Sequence, residues 1–280
     1  MIYRSFFASS GDGGSTNDED TFAVQYPASS PYVTAVGGSF LQVDWQWDPT
    51  STRFLLDMDD YFNVTDNSGQ QTEMVWSEAW IQAMFSNGTT GGGVSDLFSM
   101  PNWQSPVADL IVDNGNGKSG RGLPDIAWNA AFYSAVFIYN GGFVNIGDYD
   151  FGLWQPAGGT SAASPQIAGF FSLINQYLLE QDMDAIGHLN PYLYQITDDS
   201  AYNDIQSHTV GTVLVGELTS NQSFVFDDSI GALISGDSFS FTDTPGYPVT
   251  EGWDMTTGFG SPNGIDFFNV IIEVISSENE

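Results

Sequence analysis

The chain contains no cysteine, four basic residues and two histidines, and no apolar run reaches the ~18 residues of a membrane span. Without cysteine there are no disulfides, no thiol nucleophile and no thiolate metal site. The bases are Arg4, Arg53, Lys118 and Arg121, set against 35 acids for a formal charge of −31. A surface of that sign repels phosphate and argues against nucleic acid as a partner. It also repels itself near neutral pH. Salt screens that repulsion and acid neutralises it, so composition leaves a salty or an acidic setting open. The shortage of histidine bears on catalysis. His188, in "AIGHLNP", and His208, in "NDIQSHTVG", both read as loop residues without a catalytic neighbourhood. An activated serine in this chain therefore points to a carboxylate base. Glutamate still accepts a proton in acid, where histidine is already protonated.

Hydrophobic residues make up 41% of the 280, and aromatics 15%, enough to bury a large core and to set disorder aside. The opening "IYRSFFASSGDGG" is broken by glycine too soon to be a secretory leader and reads as a strand running into a loop. "YVTAV" is strand-like between Pro and Gly punctuation. "EMVWSEAWIQAMFSNG" (73–88) carries apolar residues at helical spacing and closes on Asn87-Gly88. "GRGLPDIAWNA" reads as a turn into a buried strand, and "AVFIYNGGFVNIG" as a hairpin with an Asn-Gly turn. A helix is expected over 161–181, and "GIDFFNVIIEVI" reads as a terminal helix or strand. Residues 44–72 look like a polar surface excursion and 206–250 like a β-rich insertion. Strands and helices alternate across glycine-rich turns, so an α/β fold around a largely parallel sheet is expected.

Two short stretches carry chemistry. In "GGTSAASPQIAGF", Ser161 stands at the head of an apolar helix, and Pro165 is tolerated in the first turn. A hydroxyl there lies near the positive end of the helix dipole. Taken alone, the stretch reads first as a simple helix cap, with Thr160 or Ser161 as the capping residue. In "SSGDGG", Asp12 is a lone acid among small residues, as in a turn that bonds its own backbone. Asp125, after a proline, reads as structural. Gly91, Gly92, Gly93 and Ser95 read as an open strand edge or as a plain glycine loop.

The segments "SSGDGG", "YPASSPYVTAVGGS", "EAW…GGGVS…PNWQ", "GRGLPDIA", "GGTSAASP", "NDI" and "GWDMTTGFGSPNG" follow one another in an order that resembles the sedolisins, the serine-carboxyl peptidases. The resemblance runs from about residue 5 to 270. It implies a subtilisin-like fold of a largely parallel sheet flanked by helices, with the N-terminal part of the domain missing and 44–72 and 206–250 inserted. It implies Ser161 as the nucleophile and Asp12 as the acid in the oxyanion hole, where a carboxyl donates only while protonated. It also implies one Ca2+ ion held by Asp204, the carbonyl of Ile205, Asp254 and the carbonyls of Thr250 and Gly252, a mixture of oxygen ligands that calcium favours. The substrate class implied is a peptide or protein, cleaved by an endopeptidase or tripeptidyl-peptidase in an extracellular or lysosome-like acidic compartment.

One departure stands out. The family's base is a glutamate one helical turn before an aspartate, upstream of the Asp12 loop, and eleven residues leave no room for that helix. Glu180 and Asp184 share the spacing but lie ~30 Å along the helix from Ser161. The expectation is therefore that a separate N-terminal segment or chain brings the Glu/Asp pair. The alternative is a catalytically dead, calcium-stabilised binding module of the same fold.

Overall fold

A computed structural model describes residues 4–17, 19–41, 45–48, 53–56, 73–77, 88–115, 117–132, 134–140, 145–146, 149–150, 154–205, 224–225, 240–241 and 246–277. At its centre is β2 (Thr34–Leu41), whose residues from Thr34 to Phe40 are buried. It pairs in parallel with β1 (Phe7–Ser9) and with a later strand, Ile126–Asn129, and antiparallel with Glu73–Val75. Counted along the chain, β3 (Trp45–Asp48) and β4 (Arg53–Leu56) form an antiparallel pair, and β5 is Glu73–Val75. Next come β6 (Gly93–Ser99), α1 (Ala108–Asn114), β7 (Gly120–Leu123) and β8 (Ile126–Asn129). Two glycines in β2 are dictated by what lies on the strand. A Cβ on Gly37 would sit 2.8 Å from the Pro124 ring, and one on Gly38 would sit 2.8 Å from Trp76.

The long helix α2 (Thr160–Glu180) lies across β1, β2 and β8. Its buried side chains Ala163, Ile167, Phe171, Ile174 and Leu178 recur at three- and four-residue steps, the stripe that a helix must turn toward a sheet. Phe171 stacks on Phe7 of β1 at 5.5 Å and meets Phe267 edge-on at 5.6 Å. Phe267 belongs to the C-terminal helix (Gly264–Ser277), which buries Phe267, Ile271 and Ile275 at steps of four. Among the described residues no helix is long and apolar enough to cross a membrane.

One local expectation is corrected. Residues 73–75 are strand, not helix, because they pair with β2 in the register Ser39↔Val75 to Leu41↔Glu73. Residues 78–87 of the expected helix lie outside the described residues. Residues 141–144, where the Asn-Gly turn after β9 (Val136–Tyr139) is expected to return, lie outside the described residues. The described partner of β9 is a strand at Trp154–Ala157, while Asn145–Ile146 pairs with Tyr149–Asp150. In chain order these are β10 (Asn145–Ile146), β11 (Tyr149–Asp150) and β12 (Trp154–Ala157). Of 44–72 only β3 and β4 are described. Of 206–245 only the antiparallel pair Phe224–Val225 and Ser240–Phe241 is described.

A buried ion pair ties β7, β8 and β2 together. Arg121 and Asp125 are both fully buried and 2.6 Å apart. Asp125 Oδ2 also accepts from the Ala35 amide at 2.8 Å, and Oδ1 from the Tyr194 hydroxyl at 2.8 Å. Gln104 donates to that hydroxyl at 2.8 Å and to the Gly122 carbonyl at 2.7 Å. The Arg121 guanidinium also donates to the Gly122 carbonyl and lies over the Trp103 ring at 5.1 Å. Burial pushes the Tyr194 hydroxyl well above its ordinary pKa, so it stays a neutral donor. Removing one member of such a pair strands the other charge in the core. Asp125→Ala is expected to cost about 3–5 kcal/mol in urea unfolding, more than an ordinary surface substitution.

Candidate active site

The site forms where the loop after β1 meets the first turn of α2. The loop is pulled in by backbone bonds. The Gly91 amide donates to the Gly11 carbonyl at 2.8 Å, the Thr89 amide to the Asp12 carbonyl at 2.8 Å, and the Gly14 amide to the Thr89 carbonyl at 2.9 Å. Gly11 holds φ +115°, and a Cβ there would lie 1.9 Å from Asn17 Oδ1, so only glycine allows the chain to turn at this point. The turn presents Asp12 at the surface.

Asp12 reaches α2 from 148 residues away in sequence. Its Oδ1 accepts from the Thr160 amide at 2.8 Å and from the Thr160 hydroxyl at 2.6 Å. Thr160 Oγ1 in turn accepts from the Gly11 amide at 3.2 Å. The residue before the helix, Gly159, has no side chain with which to cap it, so a carboxylate from a distant loop satisfies one of the free amides of the first turn. Gly159 holds φ +77°, and a Cβ on it would come within 2.5 Å of Asp12 Oδ2. Its amide bonds the Ala130 carbonyl at 2.6 Å, which anchors the turn to the end of β8. The next residue, Ser161, is exposed. Asp12 and Ser161 are thus brought to one turn of structure. Thr160, which joins them, is a residue that sequence reasoning treated only as a helix cap.

The remaining candidates lie elsewhere. Glu180 is exposed at the other end of α2, where Gln176 donates to it at 2.9 Å. His188 packs against Tyr32 and Trp103, both at 6.0 Å, and burial lowers its pKa. His208 lies outside the described residues. The strand edge expected at Gly93 and Ser95 is occupied in part by β7, through Gly93↔Leu123 and Val94↔Gly122.

The expected calcium ligands lie on two segments, 204–205 and 250–254, that meet through a backbone amide. Asp204 Oδ2 accepts from the Gly252 amide at 2.9 Å, across 48 residues of sequence. Asp254 Oδ2 accepts from the Thr250 amide at 3.0 Å. Its Oδ1 accepts from the Thr256 and Thr257 amides at 2.8 and 2.7 Å, and from the Thr257 hydroxyl at 3.2 Å. Ile205 is fully buried. Burial pushes the Asp254 carboxyl up to about 7, against the hydrogen bonds from Thr250, Thr257 and Thr256 that favour its charged form. Among the described residues no cluster of three or more His, Cys, Asp or Glu side chains forms. The donor set here is two carboxylates with neighbouring backbone carbonyls, which suits a hard cation such as calcium rather than a soft metal.

No protein-family model matches the chain. Kumamolisin from Bacillus sp. (strain MN-32) is 29% identical over 267 residues, which cover 95% of this chain and 36% of the relative. Tripeptidyl-peptidase 1 from Dictyostelium discoideum is 28% identical, over 93% of this chain and 32% of its own. Sedolisin from Pseudomonas sp. (strain 101) is 29% identical, over 92% of this chain and 33% of its own. A solved structure of Pseudomonas sedolisin, a serine-carboxyl proteinase complexed with two molecules of pseudo-iodotyrostatin, aligns with a TM-score of 0.60 and 26% identity. That alignment covers 97% of this chain and 56% of the other. The chain therefore spans about a third of the length of the curated relatives it matches.

The geometry at Gly159 yields a direct test. Gly159→Ala places a Cβ in a left-handed conformation and against Asp12. It is expected to destabilise the fold by about 1–3 kcal/mol in chemical denaturation, with Thr160→Val milder because the helical turn keeps its backbone.

Proposed function

We propose, on the premise that this chain is a homologue of the sedolisins, kumamolisin and the tripeptidyl-peptidases across nearly all its length and has the sedolisin fold, that it is the nucleophile-bearing part of a serine-type peptidase that works in acid. The observation that carries the reading is the pair of hydrogen bonds from Thr160 to Asp12 Oδ1. They set a carboxyl group beside an exposed serine at a helix N-terminus.

In this reading the Ser161 hydroxyl adds to the carbonyl carbon of a peptide bond. Its proton passes to a glutamate contributed by polypeptide outside these 280 residues, and the carbonyl oxygen becomes an anion. Asp12, protonated, donates to that oxygen. Oδ1 is engaged by Thr160, which leaves Oδ2 as the oxygen that would carry the donated hydrogen. The glutamate then gives its proton to the leaving amine as the C–N bond breaks, leaving an acyl-serine. Water adds to the ester carbon and passes a proton to the same glutamate, which returns it to the Ser161 oxygen as the acyl C–O bond breaks, releasing the second product and restoring the hydroxyl. Acid is required because an ionised Asp12 has no hydrogen to donate and repels the oxyanion. The acidic surface fits the same condition, since protonation relieves its self-repulsion.

Calcium, held by Asp204, Asp254 and the carbonyls of Ile205, Thr250 and Gly252, would offset the cost of burying Asp254 and lock the 250–254 loop to Asp204. Its contribution is stability, not a chemical step. The same reading places the protein in an extracellular or lysosome-like acidic compartment.

Two experiments test these readings. A fluorophosphonate probe at about pH 4 is expected to label the full-length protein and to fail with Ser161→Ala. Labelling that persists in Ser161→Ala ends the assignment. An unlabelled protein that still binds calcium favours the non-catalytic module. Chelation is expected to lower the melting temperature. The loss is about 2.7 kcal/mol relative to calcium held at a hundred times its Kd, and an unmoved melting curve removes Asp204 and Asp254 as ligands.

A further inference from the structure

Glu73 opens β5 and is only 3% exposed. It lies 130 residues from Asn203 and 188 from Ser261 in sequence. Its Oε2 nevertheless accepts from Asn203 Nδ2 at 2.5 Å and from the Ser261 hydroxyl at 2.6 Å. Those two residues face each other across a short antiparallel pair, β13 (Tyr202–Asn203) with Ser261–Pro262, in the register Asn203↔Ser261. One oxygen of a buried carboxylate thus fastens both strands at the pair adjoining Asp204.

The other side of the same turn is equally confined. Gly260 holds φ +87°, and a Cβ there would lie 2.1 Å from the Asn203 carbonyl oxygen. The Gly260 carbonyl accepts from the Ala127 amide of β8 at 2.9 Å. Glu73 belongs to a strand paired with β2. Asn203 is therefore held between two strands of the main sheet, one through a side chain and one through backbone contact.

A carboxylate is a costly choice for this role. Burial raises the Glu73 pKa, while the hydrogen bonds from Ser261, Ser39 and Asn203 pull it back. A neutral acceptor would pin two strands with less desolvation. What the carboxylate adds is a stronger, charge-assisted bond to the residue just before Asp204. The support for Asp204 includes the 202–203 pair that precedes it and the Gly252 amide.

We propose that Glu73 is a positioning residue for the calcium site. It fixes the Asn203–Asp204 turn on the sheet so that Asp204 meets the 250–254 loop in the geometry a divalent cation needs. The inference rests on the calcium reading of Asp204 and Asp254.

The test compares calcium affinity by isothermal titration calorimetry, and the calcium-dependent rise in melting temperature, in the full-length protein and three variants. Glu73→Ala is expected to weaken calcium binding about 10–100-fold and to shrink the calcium-dependent rise. Glu73→Gln, which keeps the size and an acceptor oxygen but not the charge-assisted bond, should restore part of the affinity. Ser261→Ala removes one bond only and should give a smaller loss in the same sense. It carries the test if Glu73→Ala fails to fold. Variants that melt lower by the same amount with calcium and with chelator, at unchanged affinity, overturn the inference and leave the calcium reading standing. A wild-type protein without any calcium response overturns both.

Discussion

The first turn of α2 is joined to the loop after β1 by two hydrogen bonds to a single oxygen of Asp12, and the geometry of the candidate site depends on them. They work because two larger contacts have already set the distance. Phe7 of β1 stacks on Phe171 of α2, and Gly159 binds the end of β8 through its amide. Core packing supplies the rigidity, and the glycines at 11 and 159 allow the close approach that packing alone would not. A serine at the exposed head of a helix is an ordinary feature. A serine whose neighbour is bonded to a carboxyl from another loop has a defined chemical environment, and the proposed acid chemistry draws on that difference.

The charge pattern has a structural counterpart. A chain with four bases cannot neutralise 35 acids by ion pairing. One of its bases, Lys118, meets Asp96 at the surface, where a pair adds little. Another, Arg121, is placed in the core, where it organises Asp125, Tyr194, Gln104 and Trp103 around β7 and β8. Other buried acids are held by neutral donors instead. Asp254 is held by its own loop, and Glu73 by Asn203 and Ser261. Burial raises the pKa of each of these carboxylates. The proposed calcium site and the proposed role of Glu73 share that logic, since a cation offsets the same cost.

Much of the fold was legible because it is written at short range. The stripe from Ala163 to Leu178 repeats with the pitch of a helix, and the glycine before Thr160 and the tight glycine loop around Asp12 are local signals of turns. The segment from Glu73 misled for the same reason. Its apolar residues fit helical spacing, but Glu73–Val75 find their partner in β2, and sheet pairing overrides a weak local preference. No local signal pointed to the pairing of β9 with Trp154–Ala157, a partner farther along the chain than a tight turn reaches.

The sequence by itself determined the acidic surface, the absence of thiol chemistry and the α/β class, because composition and turn-forming residues act within a few positions along the chain. The candidates Asp12, Ser161, Asp204 and Asp254 followed from the order of motifs that resembles the sedolisins. Only the tertiary structure decided that Asp12 caps α2 through Thr160, that Gly252 meets Asp204, and that Glu73 holds Asn203 and Ser261. Each of those contacts spans tens to hundreds of residues. No local preference specifies such a partner; it is fixed by which surfaces the packed sheet and helix bring within hydrogen-bonding distance.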